Sequence, residues 1–375
     1  MDQREALARL RLCRSNGIGP RAFGKLLFRM GSAIEVLERW HELPAIATSQ
    51  VRLADPAAME REWTATEQDD ARFLFLGDAD YPDALAQIHD PPPVLTIKGR
   101  MELLAAPAVA IVGSRHASGN GRTLARTMAH DLACGDITVV SGLARGIDTA
   151  AHEGALGQPG ATVAVVATGI DQVYPEQNAS LAEEIGAQGL LVTERPFGAQ
   201  PRAQAFPARN RIIAGLSLGV LVVEAAPRSG SLVTARLALE QGREVMAVPG
   251  SPLDERHRGT NQLIKDGAVL VEDAADIRAV IDPLVARKAR LPRPAMTAPT
   301  RTFKARHDAG PTPVQDADVL TARVVSFLGP EPLAVDDLVR QCQATTAQIH
   351  ETLIELELAG RLERHGGNRV SLLFA

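Results

Sequence analysis

Residues 206–215 bring together side chains suited to a single nucleic-acid strand. The run reads Phe-Pro-Ala-Arg-Asn-Arg-Ile-Ile-Ala-Gly, so Phe206 stands close to Arg209, Asn210 and Arg211. Arginine presents a rigid fork of donors that matches phosphate, and a phenylalanine ring offers a face on which a base stacks. The pattern predicts contact with single-stranded nucleic acid. Taken alone, a capped helix with surface arginines explains the run equally well.

A first glycine-rich loop has the layout of an anion site. Gly113, Ser114 and Arg115 follow the apolar run 109–112, and a helical pattern follows at 121–133. In such strand–turn–helix units the free amides of the helix meet anions, and open α/β sheets bind ligands at the carboxyl ends of their strands. The glycine spacing excludes a dinucleotide fingerprint, and the absence of a Gly-Lys-Ser/Thr sequence excludes a Walker A loop. An ordinary turn that needs glycine for its backbone angles is the alternative.

A second loop, residues 141–148, reads Ser-Gly-Leu-Ala-Arg-Gly-Ile-Asp and again joins a β-branched run to a helix. Asp148 and His152 are four residues apart and share a helix face. No further metal ligand stands nearby at a compatible spacing, so we predict a pair that holds the loop rather than a metal site.

A third loop carries small hydroxylated residues before the helical run 232–241. Ser229, Gly230 and Ser231 there, with Thr234 in the first turn of the helical run, form a predicted phosphate cradle. The alternative is that Ser231 only caps the helix.

In combination and in order, these motifs resemble the DNA-processing protein A (DprA/Smf) family over about residues 80–282. The motifs that carry the resemblance lie at 113–115, 141–148, 206–213, 229–235, 248–251 and 259–264. The resemblance implies a single-stranded DNA-binding protein of natural transformation, which protects incoming DNA and helps to load a RecA-type recombinase. It also implies an extended Rossmann core that binds DNA as a homodimer.

The DNA contacts implied by the resemblance centre on Arg115 and the 206–211 run. With the two other loops, the predicted nucleic-acid-binding set is Gly113, Ser114, Arg115, Ser141, Gly142, Arg145, Gly146, Phe206, Pro207, Arg209, Asn210, Arg211, Ser229, Gly230, Ser231 and Thr234. No catalytic residue, metal or cofactor is expected.

Composition favours a cytoplasmic protein of two to three domains, since the chain has 375 residues. Cys13, Cys134 and Cys342 are far apart and odd in number, which argues against a disulfide framework or a zinc site. The charged start lacks the apolar core of a signal peptide, and no run of about 18 apolar residues indicates a membrane span.

The net charge of −5 is unevenly distributed. Residues 287–307 hold seven cations and no acid, so the rest of the chain carries −12. DNA binding therefore requires a local basic patch. Residues 287–316 contain five prolines, and we interpret this segment as a flexible linker. Its charge adds weak phosphate affinity or serves only to solvate a tether.

The core alternates strand and helix, which predicts an α/β fold with an extended Rossmann-like, mostly parallel sheet. Predicted strands are 109–112, 137–141, 162–167, 190–193, 218–223, 244–248 and 268–271. Predicted helices are about 121–133, 147–156, 177–186, 208–215, 232–241 and 261–266.

Four segments follow from this pattern: a helical domain at 1–75, the core at 76–286, the linker at 287–316 and a winged helix at 317–375. Residues 15–20 of the first segment resemble a helix–hairpin–helix turn, and the family resemblance implies a sterile-alpha-motif-like bundle there. A purely structural bundle is the alternative. The last has helical patterns at 319–328, 335–342 and 346–359 and a hairpin that turns at Gly366-Gly367. The helix that starts at Thr345-Thr346 would be the second of the helix-turn-helix, and it is poor in arginine, which favours a protein-binding or accessory role.

Two other classes remain open. One is a phosphoribohydrolase-like Rossmann enzyme, although the loop at 227–234 breaks that signature. The other is a winged-helix transcription regulator with a ligand-sensing core.

The apolar segment 268–271 is the predicted site of self-association.

Overall fold

The computed structural model describes residues 1–43, 51–290 and 317–329, and most of 333–372. Two compact units emerge, one formed by 1–41 with 51–296 and the other chiefly by 297–375. Of the predicted linker, residues 287–290 continue a helix, and 291–316 lie outside the described residues.

The N-terminal segment is a helical bundle. Its helices are α1 (Gln3–Arg14), α2 (Pro20–Met30), α3 (Ala33–Glu38) and α4 (Pro56–Gln68), with a 3-10 turn at Trp40–Glu42. Asp2 caps α1 by accepting a hydrogen bond from the Glu5 amide at 2.8 Å. The Glu5 carboxylate accepts from the Ala33 amide at 2.9 Å and so stabilises the start of α3.

A nine-stranded sheet forms the core. Its strands are β1 (Arg72–Phe75), β2 (Val94–Gly99), β3 (Ala108–Val112), β4 (Thr138–Ser141), β5 (Thr162–Val165), β6 (Leu190–Thr193), β7 (Gly219–Val222), β8 (Glu244–Ala247) and β9 (Val269–Leu270). The strand order is β1-β2-β6-β5-β4-β3-β7-β8-β9. The seven predicted strands are the seven parallel ones, β3 to β9. The prediction missed β1 and β2, which pair antiparallel at the β6 side, and β1 lies inside the segment expected to be helical.

Helices cover both faces of this sheet. They are α5 (Asp83–Ala86), α6 (Gly119–Cys134), α7 (Ile147–Ala155), α8 (Ala179–Gln188), α9 (Ala205–Leu216), α10 (Gly230–Glu240), α11 (Glu255–Lys265) and α12 (Ala274–Arg290), with 3-10 turns at Met101–Leu104 and Glu176–Asn178. Alternate residues of β3 enter opposite cores: Ala110 and Val112 pack towards α9 and α10, whereas Val109 and Ile111 pack towards α6, α7 and α12. Burial on both faces explains why β3 is a continuous apolar run.

The C-terminal unit has the predicted winged-helix elements. They are α13 (Ala317–Phe327), α14 (Val335–Cys342) and a three-stranded sheet of β10 (Leu333–Ala334), β11 (Leu362–His365) and β12 (Arg369–Leu372). The residues described between 348 and 357 are helical, as expected for the third helix. The predicted turn at Gly366-Gly367 lies outside the described residues.

Candidate nucleic-acid interface

A cleft of about 790 Å³ opens at the carboxyl ends of the parallel strands. It lies where β3 and β7 are neighbours and their connections leave in opposite directions, which is the switch point at which open α/β sheets bind ligands. The lining includes eleven of the predicted residues: Gly113, Ser114, Arg115, Phe206, Pro207, Arg209, Asn210, Ser229, Gly230, Ser231 and Thr234. Three chain segments that are distant in sequence thus meet in one site.

Arg115 and Phe206 lie against each other in this cleft. The Arg115 guanidinium carbon lies 5.4 Å from the centre of the Phe206 ring, within cation–π distance. Arg115 is exposed and forms no ion pair within the described part of the chain. Phe206 lies in the first turn of α9 and is half-buried, so part of its ring stays accessible.

Tyr174 adds a second aromatic ring that the sequence reasoning did not select. Its ring centre is 5.5 Å from that of Phe206, with the planes tilted by 55°, and 45% of the residue is exposed. Tyr174 comes from the loop after β5. The sequence signal was a lone aromatic residue before a proline, which does not show where the loop folds.

The start of α10 supplies the opposite wall. Ser229 caps this helix by accepting from the Ser231 amide at 3.4 Å, and the two hydroxyls lie 2.7 Å apart. Asn210 donates to the Gly230 carbonyl at 3.4 Å and so links α9 to this turn. Arg228, exposed and also missed, adds a second cation to the cleft. Helix amides, hydroxyls and cations suit a phosphate group.

The remaining predicted loop residues support the cleft from behind. The Ser141 hydroxyl is buried and donates to the Ile111 carbonyl at 2.6 Å. Gly146 has φ +81°, and a side chain there would collide with the Ser114 carbonyl oxygen. Ser141, Gly142, Arg145, Gly146 and Arg211 do not line the cleft. Of these, Arg145 is exposed. Ser141, Gly142 and Gly146 instead shape the backbone of the loop.

Asp148 and His152 hold the second loop, as predicted. Asp148 accepts from the Gly142 amide at 3.1 Å, and His152 Nε2 accepts from the Leu143 amide at 3.2 Å. Burial, with the nearby Arg209 charge, lowers the pKa of His152 to about 3, so the ring is neutral and its Nδ1–H donates to Thr162 at 2.7 Å. Burial raises the pKa of Asp148, and the Arg209 guanidinium opposes that shift.

Arg209 and Arg211 differ from Arg115 in their surroundings. Arg209 is 6% exposed and donates to the Val165 carbonyl at 2.5 Å. Burial lowers its pKa to about 10, so it stays charged. A side chain at Gly142 would collide with the Arg209 guanidinium, which explains the glycine.

Arg211 is 8% exposed and bonds to Glu194, and its Nε lies 3.2 Å from the Asp90 carboxylate. Burial raises the pKa of Glu194, and the Arg211 charge opposes the shift. DNA contact by Arg209 and Arg211 stays a prediction, but this geometry favours a positioning role for both, because each guanidinium is buried and already donates to a protein group.

The sheet and the loops that form the cleft match one protein family. The family model described as DNA recombination-mediator protein A matches residues 72–282, more than half of the chain. The chain belongs to this family. Models of the family's winged-helix domain and of its N-terminal HHH domain also match, at residues 308–368 and 3–65.

Two relatives are similar in sequence to most of this chain. Protein Smf of Synechocystis sp. is 34% identical over 94% of this chain and 95% of its own length. DNA processing protein DprA of Streptococcus pneumoniae is 44% identical over 63% of this chain and 82% of its own.

Two solved structures share the fold. The X-ray structure of DNA processing protein A from Streptococcus pneumoniae matches with a TM-score of 0.61 and 35% identity, over 74% of this chain and 98% of that chain. DNA processing protein A from Helicobacter pylori, solved for its single-stranded DNA binding mode, matches with a TM-score of 0.51 and 30% identity, over 58% and 97%.

Within the described ranges, no cluster of His, Cys, Asp and Glu is arranged to hold a metal ion. None of the helices described there is both long and apolar enough to cross a bilayer.

Proposed function

We propose that the protein binds single-stranded DNA in the cleft and acts, without catalysis, as a mediator of recombination during DNA uptake. The observation that carries this proposal is the stack of Arg115 on Phe206 beside Tyr174, facing the start of α10. A base stacks on the aromatic pair while its phosphates meet Arg115, Arg228 and the α10 amides. The family's description as a recombination mediator and the DNA-binding relative support the same function.

The cleft favours single strands because stacking requires an unpaired base. A titration of the full chain with single-stranded and duplex oligonucleotides over a salt series tests this. Tighter binding of the single strand at every salt concentration is expected. Preferential, sequence-specific duplex binding would instead support a winged-helix regulator, and release of base or phosphate from nucleotides would support a hydrolase.

Mediation is the finer part of the proposal. In the cytoplasm the bound strand is protected and then transferred to a RecA-type recombinase. Recombinase filaments should form faster on single strands coated with a separate single-strand-binding protein when this chain is added. No acceleration, with DNA binding intact, would contradict mediation while leaving the binding function in place.

The proposed active form is a homodimer joined through the β9 edge. β9 ends the sheet order, and Val269 and Leu270 are 37% and 46% exposed. An exposed apolar edge strand pairs readily with a second copy. Sedimentation should show a dimer for the natural chain and a monomer for Leu270→Arg, whereas a monomer for both would contradict the proposal.

A further inference from the structure

Helix α2 presents a basic and aromatic face to solvent. Phe23 packs inwards, while Arg21, Lys25, Phe28 and Arg29 are exposed at successive spacings of four, three and one residues. That spacing places them on one side of the helix. We call these four residues, with Gly24 between them, the α2 face.

The cations of the α2 face are unpaired, unlike others in the same bundle. Arg9 is paired with Glu5 at 2.8 Å, and Arg14 with Glu62 at 2.8 Å. Arg21, Lys25 and Arg29 form no ion pair among the residues that the structure describes. The helix itself contains no acid. Three unpaired cations on one face attract an anionic partner.

Phe28 and Gly24 add features that bundle packing does not require. Phe28 is 95% exposed, so its ring contributes nothing to the core. Gly24 sits in the middle of α2, where glycine disfavours the helix, and no atom lies within 4 Å of the position that its side chain would take. A glycine in open space leaves a shallow surface on which an extended ligand lies close to the helix.

The turn that leads into α2 lies at the same edge of the sheet as the cleft. Arg14, the last residue of α1, donates to the carbonyl of Glu194 at 3.0 Å, directly after β6. The Glu62 carboxylate that holds Arg14 also accepts from the Phe197 amide at 3.3 Å. The carboxyl ends of the parallel strands, which carry the cleft, are therefore adjacent to the α1–α2 turn.

We propose that the α2 face is a second contact for the single strand, which binds DNA that extends beyond the cleft. The inference rests on the proposed function, since it needs a strand held at the strand ends. The three cations match successive phosphates, and Phe28 accepts an unpaired base, which a duplex does not offer.

The test compares short and long oligonucleotides on the full chain. An oligothymidine of about 6 nucleotides occupies the cleft alone, whereas one of about 30 nucleotides also reaches α2. In Arg21→Ala/Lys25→Ala/Arg29→Ala, affinity for the long strand should fall about tenfold or more, and its salt slope by about 2. Affinity for the short strand should not change. Phe28→Ala should weaken only long-strand binding, with no change in salt slope.

Two controls separate charge and stability from contact. Arg4→Ala/Arg61→Ala/Arg72→Ala removes the same charge from exposed positions outside α2 and should leave long-strand binding near the natural value. Gly24→Leu should keep or raise the melting temperature, because leucine favours helix, yet weaken long-strand binding by covering the face.

The outcomes distinguish this inference from the proposed function. If the natural chain binds neither oligonucleotide, the cleft proposal fails. If the natural chain binds both and the α2 variants bind the long strand with the same affinity, the α2 inference is overturned. The face would then suit an acidic protein surface instead. Equal losses for the α2 variant and the Arg4, Arg61 and Arg72 control also overturn it, since only net charge would then matter.

Discussion

The loop after β3 and helix α9 both carry arginines of the motif set, but they place them in opposite environments. Arg115 projects into the cleft over an aromatic ring, whereas Arg211 is enclosed by Glu194 and Asp90. An exposed guanidinium keeps its donors for phosphate, and an enclosed one exchanges water for carboxylates. Under the proposed function, α9 offers Phe206 to the DNA, while Arg209 and Arg211 hold the helix through their contacts with Val165 and Glu194.

The largest expected effect tests the enclosed side of the comparison. Arg211→Ala removes the ion-pair partner of the largely buried Glu194 carboxylate and should lower the free energy of unfolding by about 3–5 kcal/mol. Chemical denaturation measures it, with Arg115→Ala as the control that leaves stability unchanged. An Arg211→Ala protein of natural stability that lost DNA affinity would show that Arg211 contacts the strand rather than positioning α9.

The second effect concerns the ring that α9 presents. Phe206→Ala should weaken single-strand binding by about 1–3 kcal/mol, because a stacked base loses its platform. Fluorescence titration measures the affinity, and the melting temperature should stay close to the natural one. A large drop in melting temperature would instead indicate that the ring serves mainly in packing.

A third prediction uses pH to test the loop that supports the cleft. His152 has a folded pKa of about 3 against an ordinary value of 6.5, so below pH 6.5 the unfolded chain takes up a proton that the folded chain does not. The contribution of His152 should therefore lower the free energy of unfolding by about 1.4 kcal/mol for each unit by which the pH falls between these values.

His152→Gln isolates this contribution, because Asp148, whose pKa is raised, contributes with the opposite sign in both proteins. Unfolding curves between pH 4 and 7 should show a steeper pH dependence in the natural chain than in the variant. Parallel curves would mean that His152 is not neutral in the folded state.

The smallest effect tests the exposed side. Arg115→Ala should reduce the salt slope of single-strand binding by about 0.7 on every sequence, because one phosphate contact is lost. Arg236→Ala, an exposed position outside the cleft lining, is the matched control. Arg145→Ala sharpens the result: a similar loss there would extend the DNA path beyond the cleft.

The sequence by itself determined the parallel core and its loops. Strands buried on both faces are largely apolar, so β3 to β7 are visible as short apolar runs, and the glycines between strand and helix mark the loops at the carboxyl ends. The spacing of Asp148 and His152 was sufficient to predict that they hold one loop, because four residues place them on one helix face.

Only the tertiary structure decided which motif residues face the cleft. Arg209 and Arg211 are buried by Val165, Glu194 and Asp90, residues far away in the chain that no local pattern connects to them. Tyr174 joins Phe206 for the same reason, since its loop reaches the cleft from another strand. The environment of a side chain, and hence its role, depends on contacts between segments that local sequence periodicity does not encode.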